Sequence, residues 1–170
     1  MKIRSTTLLA LTLSIAVLAT LSGCSNGTTG PSKQEMQQAM TDALSVQATA
    51  FSTATSGSAT GTGSVSWTYN DTGNPISFTV TFHGYTTNGI TYDGTIGMTF
   101  WYADTSPANG QYDAGESITA MEITAHLSMA GAPVHSLDMS LLLSYSGSIA
   151  SYSGSITADG STYTYSQLFS

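Results

Sequence analysis

Permanent positive charge is almost missing from this chain. Lys2, Arg4 and Lys33 are its three basic residues, set against ten carboxylates, and none occurs from Gln34 to Ser170. Neutralising a phosphate backbone takes Lys and Arg, so nucleic-acid binding is excluded. A polybasic contact with anionic lipid is excluded on the same grounds. No arginine follows Arg4 to clamp a phosphate or carboxylate ligand. Charged residues are only 8% of the sequence, so the polar surface must be built from hydroxyls and amides. Cys24 is the single cysteine, and one thiol cannot form an intrachain disulfide. No phosphate loop, dinucleotide fingerprint or Gly-x-Ser-x-Gly elbow occurs.

What is present starts at the N-terminus. Lys2 and Arg4 precede an apolar run from Leu8 to Leu21, broken by Thr12 and Ser14 and closed by Leu21-Ser22-Gly23-Cys24. The run is short for a spanning helix, and a basic start, apolar middle and small-residue end describe an export signal. The segment resembles the signal of bacterial lipoproteins, the lipobox cleaved by signal peptidase II. That resemblance implies that residues 1–23 are removed. It implies that Cys24 carries a thioether diacylglycerol and an N-acyl chain, anchoring the protein to the membrane of the bacterial cell envelope. More than one chain gives stable anchoring. Ser25, rather than Asp, implies the outer membrane in a Gram-negative host. A lipidated Cys24 also leaves no free thiol, so Cys-ligated zinc and a cysteine nucleophile are excluded. The resemblance covers about the first 25 residues and says nothing of the folded domain.

Residues 24–31 read as a flexible tether, with a reach of at most roughly 25 Å. Residues 32–170 are expected to form one domain: an N-terminal helix packed on a curved antiparallel meander, as an open sheet or small barrel of about seven strands. Ser32 and Glu35 fit a capping box. Met36, Met40, Ala43, Leu44, Ala48 and Phe51 make an apolar stripe at helical spacing. Ser52 to Ser64 reads as a loop. From Val65 the period switches to two: Val65, Trp67 and Tyr69, then Ile76, Phe78, Val80 and Phe82, with later faces on Ile90–Phe100, Met121–Leu127 and Leu137–Leu143. Tyr163 and Tyr165 complete the pattern. Asn88-Gly89 signals a hairpin. A three-residue loop Ala130-Gly131-Ala132 predicts Ile123 opposite Met139 and Ala125 opposite Leu137, so that apolar faces coincide. The pattern Tyr-x-Gly-x-Ile recurs at Tyr92, Tyr145 and Tyr152. A strand glycine beneath aromatics lets a sheet bend, and the seven-residue offset of the last two copies predicts a bulge or turn near Ala150.

One segment carries metal chemistry. From Asp104 to Glu116, the Asn109-Gly110-x5-Glu116 spacing resembles the second part of an EF-hand calcium loop and related extracellular Asp/Asn-Gly loops. Asn109, Gln111 (through its carbonyl), Asp113 and Glu116 then take ligand positions, with Asp104 one residue early. The flanks, Met98–Tyr102 and Ile118–Leu127, read as strands rather than helices, and the alternative is a solvated acidic turn. Calcium, if bound there, is structural and weak. Among the histidines, His126 is expected on a polar face with Thr124 opposite Asp138. His135 is expected on the apolar side of its strand, and His83 at a strand end. No zinc spacing joins them, and Glu122 with Asp138 is the one candidate carboxylate pair. The reading is a non-catalytic binding or structural lipoprotein. A carrier of an apolar ligand or lipid is the first alternative and a hydrolase the last. A membrane-spanning barrel is excluded by Ser and Thr on the outward face.

Overall fold

The computed structural model describes residues 30–56, 61–105, 110–113, 116–146 and 149–170. Ser32 opens α1 (Lys33–Ser56) through the expected capping box. Its N–H donates to Glu35 Oε2 at 2.7 Å, and its Oγ accepts the Glu35 N–H at 3.3 Å. The bonds from the Ser32 N–H and hydroxyl hold the Glu35 carboxyl below its usual range. The buried stripe is Met36, Ala39, Met40, Ala43, Val46, Gln47 and Ala50. Ala48, expected on it, is exposed, and Phe51 lies outside the described side chains. At 3.6 residues per turn, positions 46, 47 and 50 continue the line of 36, 39 and 43, while 48 rotates off it. The helix also runs to Ser56, into the stretch read as loop, and the first strand begins at Thr62.

Seven strands follow: β1 (Thr62–Asn70), β2 (Ile76–Thr87), β3 (Ile90–Tyr102), β4 (Ile118–Ala130), β5 (Ser136–Ser146), β6 (Ile149–Ala158) and β7 (Ser161–Thr164). They form one antiparallel sheet in chain order, with β1 and β7 as its edges. Of the two anticipated forms, the open sheet is the one adopted. Asn88 and Gly89 make the β2–β3 turn with φ of 51° and 79°, and Asp159 and Gly160 repeat it between β6 and β7 at 46° and 80°. Two positive φ values in a two-residue loop mark the turn that matches strand twist. Tyr165 is not a strand residue: it starts α2 (Tyr165–Phe169), fixed by a Thr164–Gln167 capping box.

A helix of 24 residues is about 36 Å long, and seven strands span about 29 Å. Helix α1 is therefore long enough to cross the sheet. A side chain on Gly30, just before it, would strike Ser161 of β7, and the helix also contacts β2. Beneath it Phe82, Ile96, Met129, Leu137 and Ile156 are all 0% exposed. The borders of the same face stay open: Trp67, Tyr69, Tyr145 and Tyr152 are 42–55% exposed.

The β4–β5 register differs from the expected one by two residues. Ile123 pairs with Leu141 and Ala125 with Met139. The connection is longer than three residues, running over 131–135. Pro133 has no N–H for a ladder, and Ala132 and Val134 turn into the core. An even shift keeps every side chain on its face, which is why the apolar faces still coincide.

Two glycines of the pattern allow a close approach between strands. Gly94 and Gly154 have φ of +118° and +125°, and each lies against a carbonyl of the neighbouring strand, His126 O and Ser140 O. Beside Gly94, β2 carries a bulge between Phe82 and Tyr85, pinned by the Gly84 N–H on Asp93 Oδ1 at 2.7 Å. The copy starting at Tyr145 runs into the β5–β6 reversal, whose closing pair is Ser146 with Ile149. The turn thus precedes Ala150, and Gly147 and Ser148 lie outside the described residues.

Asp159 ties this hairpin layer together. Its carboxylate accepts the N–H groups of His135 and Ser136, the latter at 2.8 Å, and the Ser136 hydroxyl at 3.1 Å. Burial opposes its charge, but the bonds from His135 and Ser136 prevail and hold its pKa below the usual carboxylate value. A depressed folded-state pKa means stability present above the unfolded pKa of about 3.9 and lost as pH falls through the lower folded value. Asp159→Ala is expected to cost about 1–2 kcal/mol at pH 7. The gap in melting temperature from wild type should close as pH drops below about 4. Parallel melts from pH 7 to 2.5 check this, and a gap that persists at the acid end rejects it.

Candidate functional sites: the acidic loop and the uncovered sheet face

The acidic loop hangs from Tyr102, the last residue of β3. The Asn74 side chain pairs with the Tyr102 backbone, Nδ2 donating to its carbonyl at 2.8 Å, and the Tyr102 hydroxyl donates to Gly73 O at 3.1 Å. Tyr112 packs edge-on to the Tyr102 ring at 5.4 Å. Burial raises the Tyr102 pKa, and the charges of Asp104, Glu116 and Asp113 raise it further. Three of the five candidate ligands, Asp104, Asp113 and Glu116, are thus brought around one phenol. Gln111 is exposed, and Asn109 lies outside the described residues, as does Cys24.

The carboxylates are engaged with the loop's own backbone. Glu116 Oε1 accepts the Thr105 N–H and Oε2 the Asp113 N–H, both at 2.9 Å, while Asp104 Oδ2 accepts the Gly110 N–H at 2.7 Å. A bidentate calcium contact by Glu116 would use the second lone pair of each oxygen, beside the N–H it already accepts. Among the described residues no group of three or more acidic or histidine side chains is arranged to hold a metal. Tyr102 and Asn74 were invisible as loop anchors in the sequence. Their signal was only the turn Asp71-Thr72-Gly73-Asn74-Pro75.

Among the described residues, nothing covers the sheet face away from α1. One rank runs Ser66, Thr81, Thr95, His126, Asp138, Thr157, Thr162 across all seven strands. The next runs Thr68, Thr79, Gly97, Thr124, Ser140, Ser155, Thr164, and no residue in either rank is buried. Hydroxyls across strands bond one another, as Thr157 and Thr162 do at 2.8 Å. The observed register places His126, not Thr124, opposite Asp138, with Nδ1 to Oδ1 at 2.5 Å and both side chains over half exposed. Glu122 faces Leu142 across the ladder rather than pairing with Asp138, and it accepts the Ser140 hydroxyl at 3.5 Å. His135 is not on the apolar side: it precedes β5, is exposed, and lies 3.6 Å from Asp159. The longer connection moved it out of the ladder.

No helix among the described residues is long and apolar enough to cross a membrane. No family model, curated protein or solved structure matches the chain.

Proposed function

We propose that this is a lipid-anchored protein of the bacterial cell envelope, held through Cys24, whose domain serves a non-catalytic binding or structural role. The observation that carries the anchor is the sole cysteine placed directly after Leu21-Ser22-Gly23 at the end of an apolar run. The uncovered face supports the non-catalytic half. Its ranks are hydroxyls at the water boundary, and its one His–carboxylate pair is over half exposed. A catalytic pair is usually set apart by burial and desolvation. The acidic loop is a structural element in this reading, with calcium as a weak additional ligand of Asp104, Asp113 and Glu116.

Mass analysis of the N-terminal peptide from the membrane fraction tests the anchor. The expected result is a chain starting at Cys24 with diacylglycerol and an acyl chain, and a Cys24→Ala protein that is no longer acylated. An unmodified chain, or one cleaved elsewhere, removes the proposal. A calorimetric titration is independent of it. No heat at millimolar calcium discards the metal and leaves the anchor standing.

A further inference from the structure

The two edges of the sheet are treated differently. At one, β7 has four residues and α2 folds back on β6, with Tyr165 stacked on Tyr152 at 5.2 Å. At the other, β1 has nine residues and, among the described residues, no strand on its outer side. Natural edge strands are guarded by Lys, Pro, inward charges, bulges or brevity. β1 has no charge and no proline, and its one bulge lies at its start, between Thr62 and Ser64. From Ser64 to Asn70 the ladder is regular, and Trp67 is the middle residue of that stretch. Trp67 and Tyr69 share a face with Val80 and Phe78, which are 1% and 8% exposed, yet they are themselves 44% and 42% exposed.

We infer that β1 is a self-association edge whose occupant is the β1 of a second copy of this chain, paired antiparallel about Trp67. In that register Trp67 faces the partner's Trp67, Val65 the partner's Tyr69, Ser66 the partner's Thr68 and Ser64 the partner's Asn70. Apolar residues meet apolar ones on the helix face, and uncharged polar groups meet one another on the other, Ser against Thr and Ser against Asn. Cross-strand aromatic pairs and Ser/Thr pairs are both favourable. Charge agrees. The chain is strongly acidic, so a second copy is repelled wherever carboxylates meet, but this register brings none together. The nearest, Asp71, falls beside the partner's Gly63. A two-fold axis normal to the sheet closes the pair and continues the apolar face and both hydroxyl ranks into the partner.

Sedimentation velocity of the full chain in mild detergent tests this. A dimer is expected at about 10 µM. Trp67→Lys, which sets like charges opposite each other at an exposed position, should raise the dissociation constant roughly 30-fold or more while leaving the circular dichroism spectrum unchanged. Register is read by cysteine cross-linking in chains that also carry Cys24→Ser. Ser66→Cys mixed with Thr68→Cys should cross-link, and neither alone should. A monomer at 10 µM, a dimer that survives Trp67→Lys, or equal cross-linking of Ser66→Cys with itself overturns the inference. So does a ladder of ever larger species, the mark of β1 pairing with the free stretch of β6 instead.

Discussion

Gly94→Ala is expected to destabilise the domain by about 3 kcal/mol or more, lowering the melting temperature by roughly 10 °C. Two effects add. At φ +118° an L side chain is strained, which costs about 1–3 kcal/mol. A Cβ at this position would also overlap the carbonyl of His126, a backbone atom that cannot swing away. Relieving the overlap means parting β3 from β4 where Gly94 pairs with Leu127. Gly97, in the same strand, is the control. It has no positive φ, and its nearest neighbour is the mobile tip of Thr124 on the open face. Gly97→Ala should shift stability by less than about 1 kcal/mol. Equal melting temperatures for the two variants would show that the contact with His126 O does not require glycine at 94.

The special role of Gly94 was legible in the sequence because a glycine among Tyr and Ile at alternate positions marks a bulge or a close backbone approach. Period-two patterning, the Ser32–Glu35 cap and Asn88-Gly89 were legible for the same reason: each is a local signal with a local cause. Ala48 is apolar but rotates off the line of Met36, Ala39 and Ala43, which at 3.6 residues per turn continues through Val46, Gln47 and Ala50. The other misreadings share a different cause, in which tertiary contacts decide between local options of similar cost. Ala130-Gly131-Ala132 is a workable turn by itself, but burying Val134 against the core lengthened the connection to 131–135. Moving the register by two residues left the apolar face intact but changed every cross-strand partner, His126 among them. The one polar pairing of note, His126 with Asp138, was thus the detail most exposed to that error. The acidic loop shows the same limit. Spacing proposes Glu116 as a cation ligand but does not show that its carboxylate accepts the backbone N–H groups of Thr105 and Asp113.

Phe82→Ala is expected to cost about 3–5 kcal/mol, as large an effect as any single side chain here should give. Phe82 is 0% exposed and lies directly across the ladder from Gly94, so its ring occupies space that a residue at 94 would otherwise fill. Tyr85 and Tyr92 flank it at 5.9 and 6.1 Å in tilted contacts. Burial, with Asp42 of α1 adding to it, pushes the Tyr92 phenol up to about 12. Truncating Phe82 therefore opens a cavity at the seam where helix and bulge meet, and the backbone cannot collapse into it because Gly94 is already in contact with β4. Tyr85→Phe, one step along the same cluster, should behave oppositely. Among the described residues the buried Tyr85 hydroxyl has no hydrogen-bond partner, and removing it should leave stability unchanged or raise it by about 1 kcal/mol. Chemical denaturation of both variants decides. A loss below about 1.5 kcal/mol for Phe82→Ala would place the ring outside the dry core, whereas a comparable loss for Tyr85→Phe would mean that its hydroxyl is bonded after all.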